Sequence, residues 1–283
     1  MKKTFQDYEL GYETPVDPAL QNELETVDAN IRARHGLTPD QTAVGLFDAL
    51  TLRLAMLRPD CEYYAASVAK IGILLAYFQL RPAECANMDP TTRHELGLMI
   101  KVSSNELAAK FSQQLGLKQI QRVLDSYHFY DAQRGGGIWA GKHYGDDSER
   151  FGSPVGDNSH AATVRQLLRF FLLLEQGRLV SPEASAKMRE IFASPEIAHD
   201  DIKFVKGLSG RNVVILRKSG SWENWLHDTA IVTGPGCRYI LVALTNHPRG
   251  DDYLEALAGA VDDLMTGWSE PRLGFDDPIQ GPE

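Results

Sequence analysis

The chain has 283 residues, 43% hydrophobic and 24% charged, which is ordinary globular composition. That length suggests one large domain or two intimately packed ones, with ample apolar material for a core. Net charge is −9, from Lys+Arg 29 against Asp+Glu 38, and no dense basic block occurs, so a nucleic-acid role has little electrostatic support.

The opening MKKTFQDYELGYETP starts basic but lacks the apolar stretch of a secretory leader. The expectation is a cytoplasmic protein, or a periplasmic or secreted one if a leader was removed. In DPALQNELETVDANIRARHG, residues 17–36, Asp17 reads as an N-cap, Pro18 as the first helical residue and Gly36 as the stop. Leu20, Leu24, Val27 and Ile31 recur at helical spacing between them, so a surface helix is predicted. TAVGLFDAL and TLRLAML, around residues 42–57, read as a strand pair.

CEYYAASVAKIGILLAYFQL, residues 61–80, predicts an oily helix from about Ser67 to Leu80. Its apolar run IGILLAYF is far shorter than the roughly 20 residues that cross a bilayer, so no membrane span is expected. Residues 89–178 read as mostly helical, through SSNELAAKFSQQLG, LKQIQRVLDSY and HAATVRQLLRFFLLLEQG. A glycine-rich loop interrupts them, RGGGIWAGKHYGDDSERFGSPVGDN. Loops longer than about 12–15 residues are usually functional or disordered. SPEASAKMREIFAS begins another helix at its Ser-Pro.

After residue 200 the pattern turns β-rich, in NVVILRKSGS and DTAIVTGPGCRYILVALTN, with a hairpin turn at Gly-Pro-Gly 234–236. DDYLEALAGAVDDLMTGW, residues 251–268, is a closing amphipathic helix, and the tail LGFDDPIQGPE reads as loose. The class is therefore α+β. An antiparallel sheet is completed by both chain ends, residues 1–66 and 200–283, with a helical domain, residues 67–199, inserted between them. The cysteines Cys61, Cys85 and Cys237 are odd in number and form no C-x-x-C, so neither a disulfide framework nor a zinc site is indicated. No metal or organic cofactor is implied.

Three short polar motifs stand out. Ser67 and Lys70 are three residues apart at the start of the oily helix, so both side chains can reach one point. A serine hydroxyl needs a base, and burial at an apolar helix end disfavours the ammonium that would keep lysine from serving as one. The competing reading is a capping serine and a snorkelling lysine. Ser103 and Asn105 lie in SSN, where Ser103-x-x-Glu106 also reads as a capping box. Lys218, Ser219, Gly220 and Ser221 end a strand, where they could bind a carboxylate and expose backbone N–H groups, or simply form a polar turn.

Together, in this order and context, the three motifs resemble those of the penicillin-recognising serine hydrolases, most closely the class A β-lactamases. The resemblance covers roughly residues 17–268. It implies a β-lactamase/transpeptidase-like fold and a small-molecule substrate, a β-lactam or a related acyl amide or peptide, cleaved through acyl-Ser67. By motif, Ser67 is the nucleophile and Lys70 its base or proton relay. Ser103 passes a proton to the leaving nitrogen, and Lys218 polarises Ser103 and attracts the substrate carboxylate. Asn105 bonds the acyl-side amide, Ser219 helps hold the carboxylate, and the N–H groups of Ser67 and Ser221 form the oxyanion hole.

The family's Glu-x-x-x-Asn loop element, whose glutamate activates the deacylating water, is missing. Asp146, Asp147 and Glu149 are the acids in that loop, and Lys142, His143 and Tyr144 are other polar candidates, the last two read as ordinary loop residues. Trp139 either lines the pocket or pins the loop. The middle residue of Ser-x-Asn is Ser104 where the family has aspartate, a tolerable change because only the outer two face substrate. A missing base implies slow deacylation, as in D,D-peptidases. Alternatives are an intracellular amidase or esterase on the same scaffold, or a ligand-binding protein that has lost turnover.

Overall fold

A computed structural model describes residues 4–145 and 150–267. Asp17 caps α1 (Pro18–His35), accepting the Leu20 N–H at 2.8 Å, and Gly36 ends it in the left-handed region at φ 76°. Strands β1 (Thr42–Asp48) and β2 (Arg53–Leu57) follow as an antiparallel pair. A short strand β3 (Tyr63–Tyr64) leads into a 3-10 turn over Ala66–Ala69, which runs directly into α2 (Lys70–Leu80). The oily segment is thus a tight first turn plus a helix, not one α-helix from Ser67.

The helical region continues through α3 (Pro82–Ala86), α4 (Pro90–Lys101), α5 (Asn105–Leu115) and α6 (Leu117–Ser126). The glycine-rich stretch holds β4 (Tyr130–Asp131), β5 (Gly136–Gly137) and β6 (Trp139–Ala140). After it come β7 (His160–Ala162), α7 (Val164–Glu175) and α8 (Pro182–Ala193), so His160–Ala162, expected as helix, is strand and pairs with β3 and β6. A single turn, α9 (Phe204–Gly207), precedes β8 (Val214–Trp222), β9 (Trp225–Gly234) and β10 (Cys237–Asn246). Pro235 and Gly236 make the two-residue β9–β10 turn, with Gly236 at φ 73°. The last described helix is α10 (Gly250–Gly267). The tail after Gly267 lies outside the described residues.

The main sheet has five antiparallel strands in the order β2-β1-β10-β9-β8, so both chain ends do complete it. Alternation along β1 assigns its two faces. Val44 and Leu46 pack with Leu24 of α1 and Leu257 of α10, whereas Ala43 and Phe47 join the core shared with α2 and α7. At Gly45 an added Cβ would lie 2.5 Å from Val164 and 2.6 Å from Leu168, so α7 lies directly on the strand. From Lys70 to Phe78 every residue of α2 is buried. At roughly 1.5–3 kcal/mol per buried large aliphatic or aromatic side chain, this helix is a rigid axis from which a reacting group can project. Among the described residues, no helix is long and apolar enough to cross a membrane.

Candidate active site

The backbone at the head of α2 sets the first two groups. Ala66 is held at φ 46°, which reverses the chain after β3, and the Lys70 N–H returns to the Ser67 carbonyl in 3-10 fashion. In such a turn residues i and i+3 eclipse, so Ser67 and Lys70 share one side. Ser67 is half-buried, and its hydroxyl has no hydrogen-bond partner among the described residues. Lys70 is wholly buried. Its Nζ donates to the Ser103 carbonyl at 2.5 Å and to Asn105 Oδ1 at 2.7 Å, with a longer contact to Ser103 Oγ at 3.3 Å. Burial pulls its pKa from 10.5 down to about 7. Two short donor contacts suit a neutral amine, which then keeps its lone pair unused.

Ser103 is not the helix cap that its sequence context suggested. Ser104 caps α5, accepting the Leu107 N–H at 3.2 Å. Serine and aspartate are both good N-caps, so serine at this middle position still starts the helix. Ser103 sits just before it in the left-handed region, at φ 64°. Such a conformation costs of order 1–3 kcal/mol in a non-glycine residue. It is held because Lys70 binds the Ser103 carbonyl and Lys218 donates to Ser103 Oγ at 2.8 Å. A hydroxyl oxygen that accepts from Lys218 keeps its own hydrogen free to donate.

The third motif ends β8. Lys218 is fully buried, bonded to Ser103 Oγ and to the Ser219 carbonyl at 2.7 Å, and burial, reinforced by Lys70, drives its pKa well below the usual lysine range. Gly220 lets the strand pass against Ser67. A Cβ there would stand 2.8 Å from the Ala65 carbonyl and 3.1 Å from the Ser67 nitrogen. That close approach brings the strand end holding Ser221 beside the Ser67 amide, the arrangement an oxyanion hole requires. Ser219 is half-buried and Ser221 exposed.

Behind β8 lies a support that no sequence motif announced. Lys203, at φ 55° and buried, donates to the Gly220 carbonyl at 2.9 Å and to Ser221 Oγ at 2.6 Å. Arg217 forms a buried ion pair with Asp228, its Nε 2.8 Å from both carboxylate oxygens. Asp251 balances Lys203 at 3.6 Å as Asp228 balances Arg217, so the strand end is backed by two ion pairs. These residues fall in unremarkable polar contexts, and only the folded register brings them together.

Of the loop candidates, Tyr144 enters the site. It is buried, its hydroxyl donates to the Ala66 carbonyl at 2.8 Å, and Lys70 Nζ lies 4.5 Å from its ring centroid. The ring stacks on His160 with centroids 4.2 Å apart. Reading Tyr144 as an ordinary loop residue is thus corrected by its packing against the lysine. His143 turns away and pairs with Ser112 Oγ at 2.7 Å. Trp139 pins the loop, its indole donating to the Phe151 carbonyl at 2.7 Å and its ring packing on Tyr130, with no bond to Ser67, Lys70, Ser103 or Lys218. Asp146, Asp147 and Glu149 lie outside the described residues. Among the described residues no carboxylate bonds to Lys70, and no group of three His, Cys, Asp or Glu side chains could hold a metal ion.

Comparison with solved structures places this architecture. A β-lactamase from Sphaerobacter thermophilus DSM 20745 superposes with a TM-score of 0.68 at 16% identity, covering 86% of this chain and 97% of that one. The structure of PBP-A gives 0.66 at 19% identity, covering 90% and 99%. A PBP-A mutant, solved as an acyl-enzyme complex with penicillin G, gives 0.66 at 18% identity, covering 90% and 100%. At such identities the likeness establishes the β-lactamase/transpeptidase-like fold. No curated protein matches the chain. The family model described as "Beta-lactamase enzyme family" matches residues 84–265, which include Ser103, Asn105 and the 218–221 strand end and begin after Ser67 and Lys70. With well over half of its length matched, the chain belongs to the β-lactamase enzyme family.

Proposed function

We propose that the protein is a serine hydrolase that opens a β-lactam or related amide through an acyl-Ser67 intermediate and releases the acyl group slowly. The observation that carries this reading is the Ser103 hydroxyl held between two wholly buried lysines, Lys218 at 2.8 Å and Lys70 at 3.3 Å. A substrate carboxylate would rest against the Ser219 hydroxyl and Lys218, whose ammonium form the anion itself would favour. Neutral Lys70 takes the Ser67 proton as the oxygen attacks the carbonyl carbon. The N–H groups of Ser67 and Ser221 receive the oxyanion. The carbon–nitrogen bond then breaks as Ser103 gives its proton to the leaving nitrogen, and the proton held by Lys70 replaces it. Water must finally hydrolyse the ester.

The Tyr144 ring occupies one side of Lys70, where no described carboxylate stands to activate that water. This favours a long-lived acyl-enzyme, so a D,D-peptidase-like or amidase activity is the second reading. An intact set of Ser67, Lys70, Ser103 and Lys218 argues against a binding protein without turnover. Incubation with a fluorescent penicillin tests the proposal. Label should appear on the wild type and be absent from Ser67→Ala and Lys70→Ala. Equal labelling of Ser67→Ala would sink it.

A further inference from the structure

Away from the Ser67 cluster, the N-terminal segment crosses α7 as a strap. Gln176 Nε2 ties it at the carbonyls of Phe5 and Tyr8, at 2.6 and 2.8 Å, and Arg165 Nη1 ties it again at the Gly11 carbonyl, at 2.9 Å. Strap and helix line a half-open cavity of about 660 Å³ that shares no lining residue with the active site. Its volume falls within the range of small-molecule sites.

The polar groups of this cavity are unevenly committed. Arg165 is saturated, with Nε and Nη2 on the Asp60 carboxylate at 2.7 and 2.8 Å. Arg169 is half-buried and uses Nη1 alone, donating to the carbonyls of Tyr127 and His128 and to Gln166 Oε1. Among the described residues its Nε and Nη2 have no acceptor, and no carboxylate pairs with it. Burial lowers its pKa, opposed by Tyr12 and Glu9 and reinforced by Arg178. Glu9 acts on this cation only at a distance, so its direct anion contacts are open. The remaining guanidinium edge offers two parallel N–H groups, the geometry that grips a carboxylate at both oxygens. Tyr12, whose hydroxyl accepts from Gln166 Nε2 at 3.1 Å, adds a hydroxyl hydrogen. Leu10, Leu172 and Leu173 supply apolar wall, while Glu9 and Glu13 on the strap disfavour a dianion.

We propose that this cavity binds a small monocarboxylate with a short apolar body, its carboxylate on the free edge of Arg169 and its chain against Leu172 and Leu173. The site is independent of the acylation chemistry, and labelling of Ser67 should not change when it is altered. Isothermal titration of hexanoate into the whole protein tests it, with hexanamide and inorganic phosphate as comparisons. Hexanoate should bind one to one, hexanamide undetectably and phosphate more weakly. Removing a charge-assisted contact should weaken hexanoate by about tenfold or more in Arg169→Gln. Leu173→Trp, which fills the cavity and leaves the charge, should lose binding too, and it decides the matter if Arg169→Gln fails to fold by circular dichroism. Hexanoate binding that survives Leu173→Trp, or absence of binding to the wild type, overturns the site. Hexanamide or phosphate binding as tightly as hexanoate overturns the ligand class.

Discussion

Acylation of Ser67 should follow the titration of a buried amine, and the pH profile gives the magnitude. Burial brings Lys70 from 10.5 to about 7. An ordinary lysine would be only about 0.03% neutral at pH 7, whereas this one is about half neutral, a gain of roughly a thousandfold in competent base. The neutral form is the reactive one, so the rate must rise with pH, not fall. It should climb about tenfold per pH unit on the acid side, increase roughly thirtyfold between pH 5.5 and pH 8, and then level off. Lys70 and Lys218 share the Ser103 hydroxyl, so the midpoint belongs to the pair. Stopped-flow acylation by a fluorescent penicillin from pH 5 to pH 9 measures it. In Lys70→Arg the guanidinium keeps its proton throughout, and acylation should drop by about three orders of magnitude with no acid limb. A wild-type rate that is flat over this range, or still rising steeply above pH 9, would refute Lys70 as the base.

Gly220→Ala should push a methyl toward the Ala65 carbonyl and the Ser67 amide, lowering acylation by roughly 10²–10³ through the oxyanion hole, as read by the same assay. Tyr144→Ala should cost about 3–5 kcal/mol in urea unfolding but open space beside Lys70 for water. The acyl-enzyme should then decay faster, and an unchanged lifetime would remove Tyr144 from the account. Arg217→Ala strands the buried Asp228 carboxylate and should cost about 3–5 kcal/mol in the same unfolding measurement. Arg217→Met combined with Asp228→Leu should recover much of that loss.

Periodicity and capping made much of the fold legible. Asp17, Pro18 and Gly36 bound α1 as read, Ser181 caps α8, and the Gly-Pro-Gly turn joins β9 to β10. The motif residues were legible because α2 and β8 carry them on rigid elements. Finer geometry was not. Capping chemistry cannot say whether Ser103 or Ser104 starts α5, because either serine could cap it; Lys70 and Lys218 decide by holding Ser103 at positive φ. His160 lies in an apolar run that continues as helix, and it becomes strand only by pairing with β3 and β6. Tyr144, Lys203 and Asp228 have no local signature. Their positions follow from long-range packing, Tyr144 against the Ala66 carbonyl, Lys203 against Gly220, and Asp228 opposite Ser219 across the β8–β9 ladder.

Intact-mass spectrometry of the protein during and after exposure to benzylpenicillin, followed by peptide mapping, tests the central claim most directly. A single adduct of the mass of the opened β-lactam should form on the peptide containing Ser67, persist after excess drug is removed, and be absent from Ser67→Ala. An adduct on another residue, or no adduct and no drug consumed, would contradict the account.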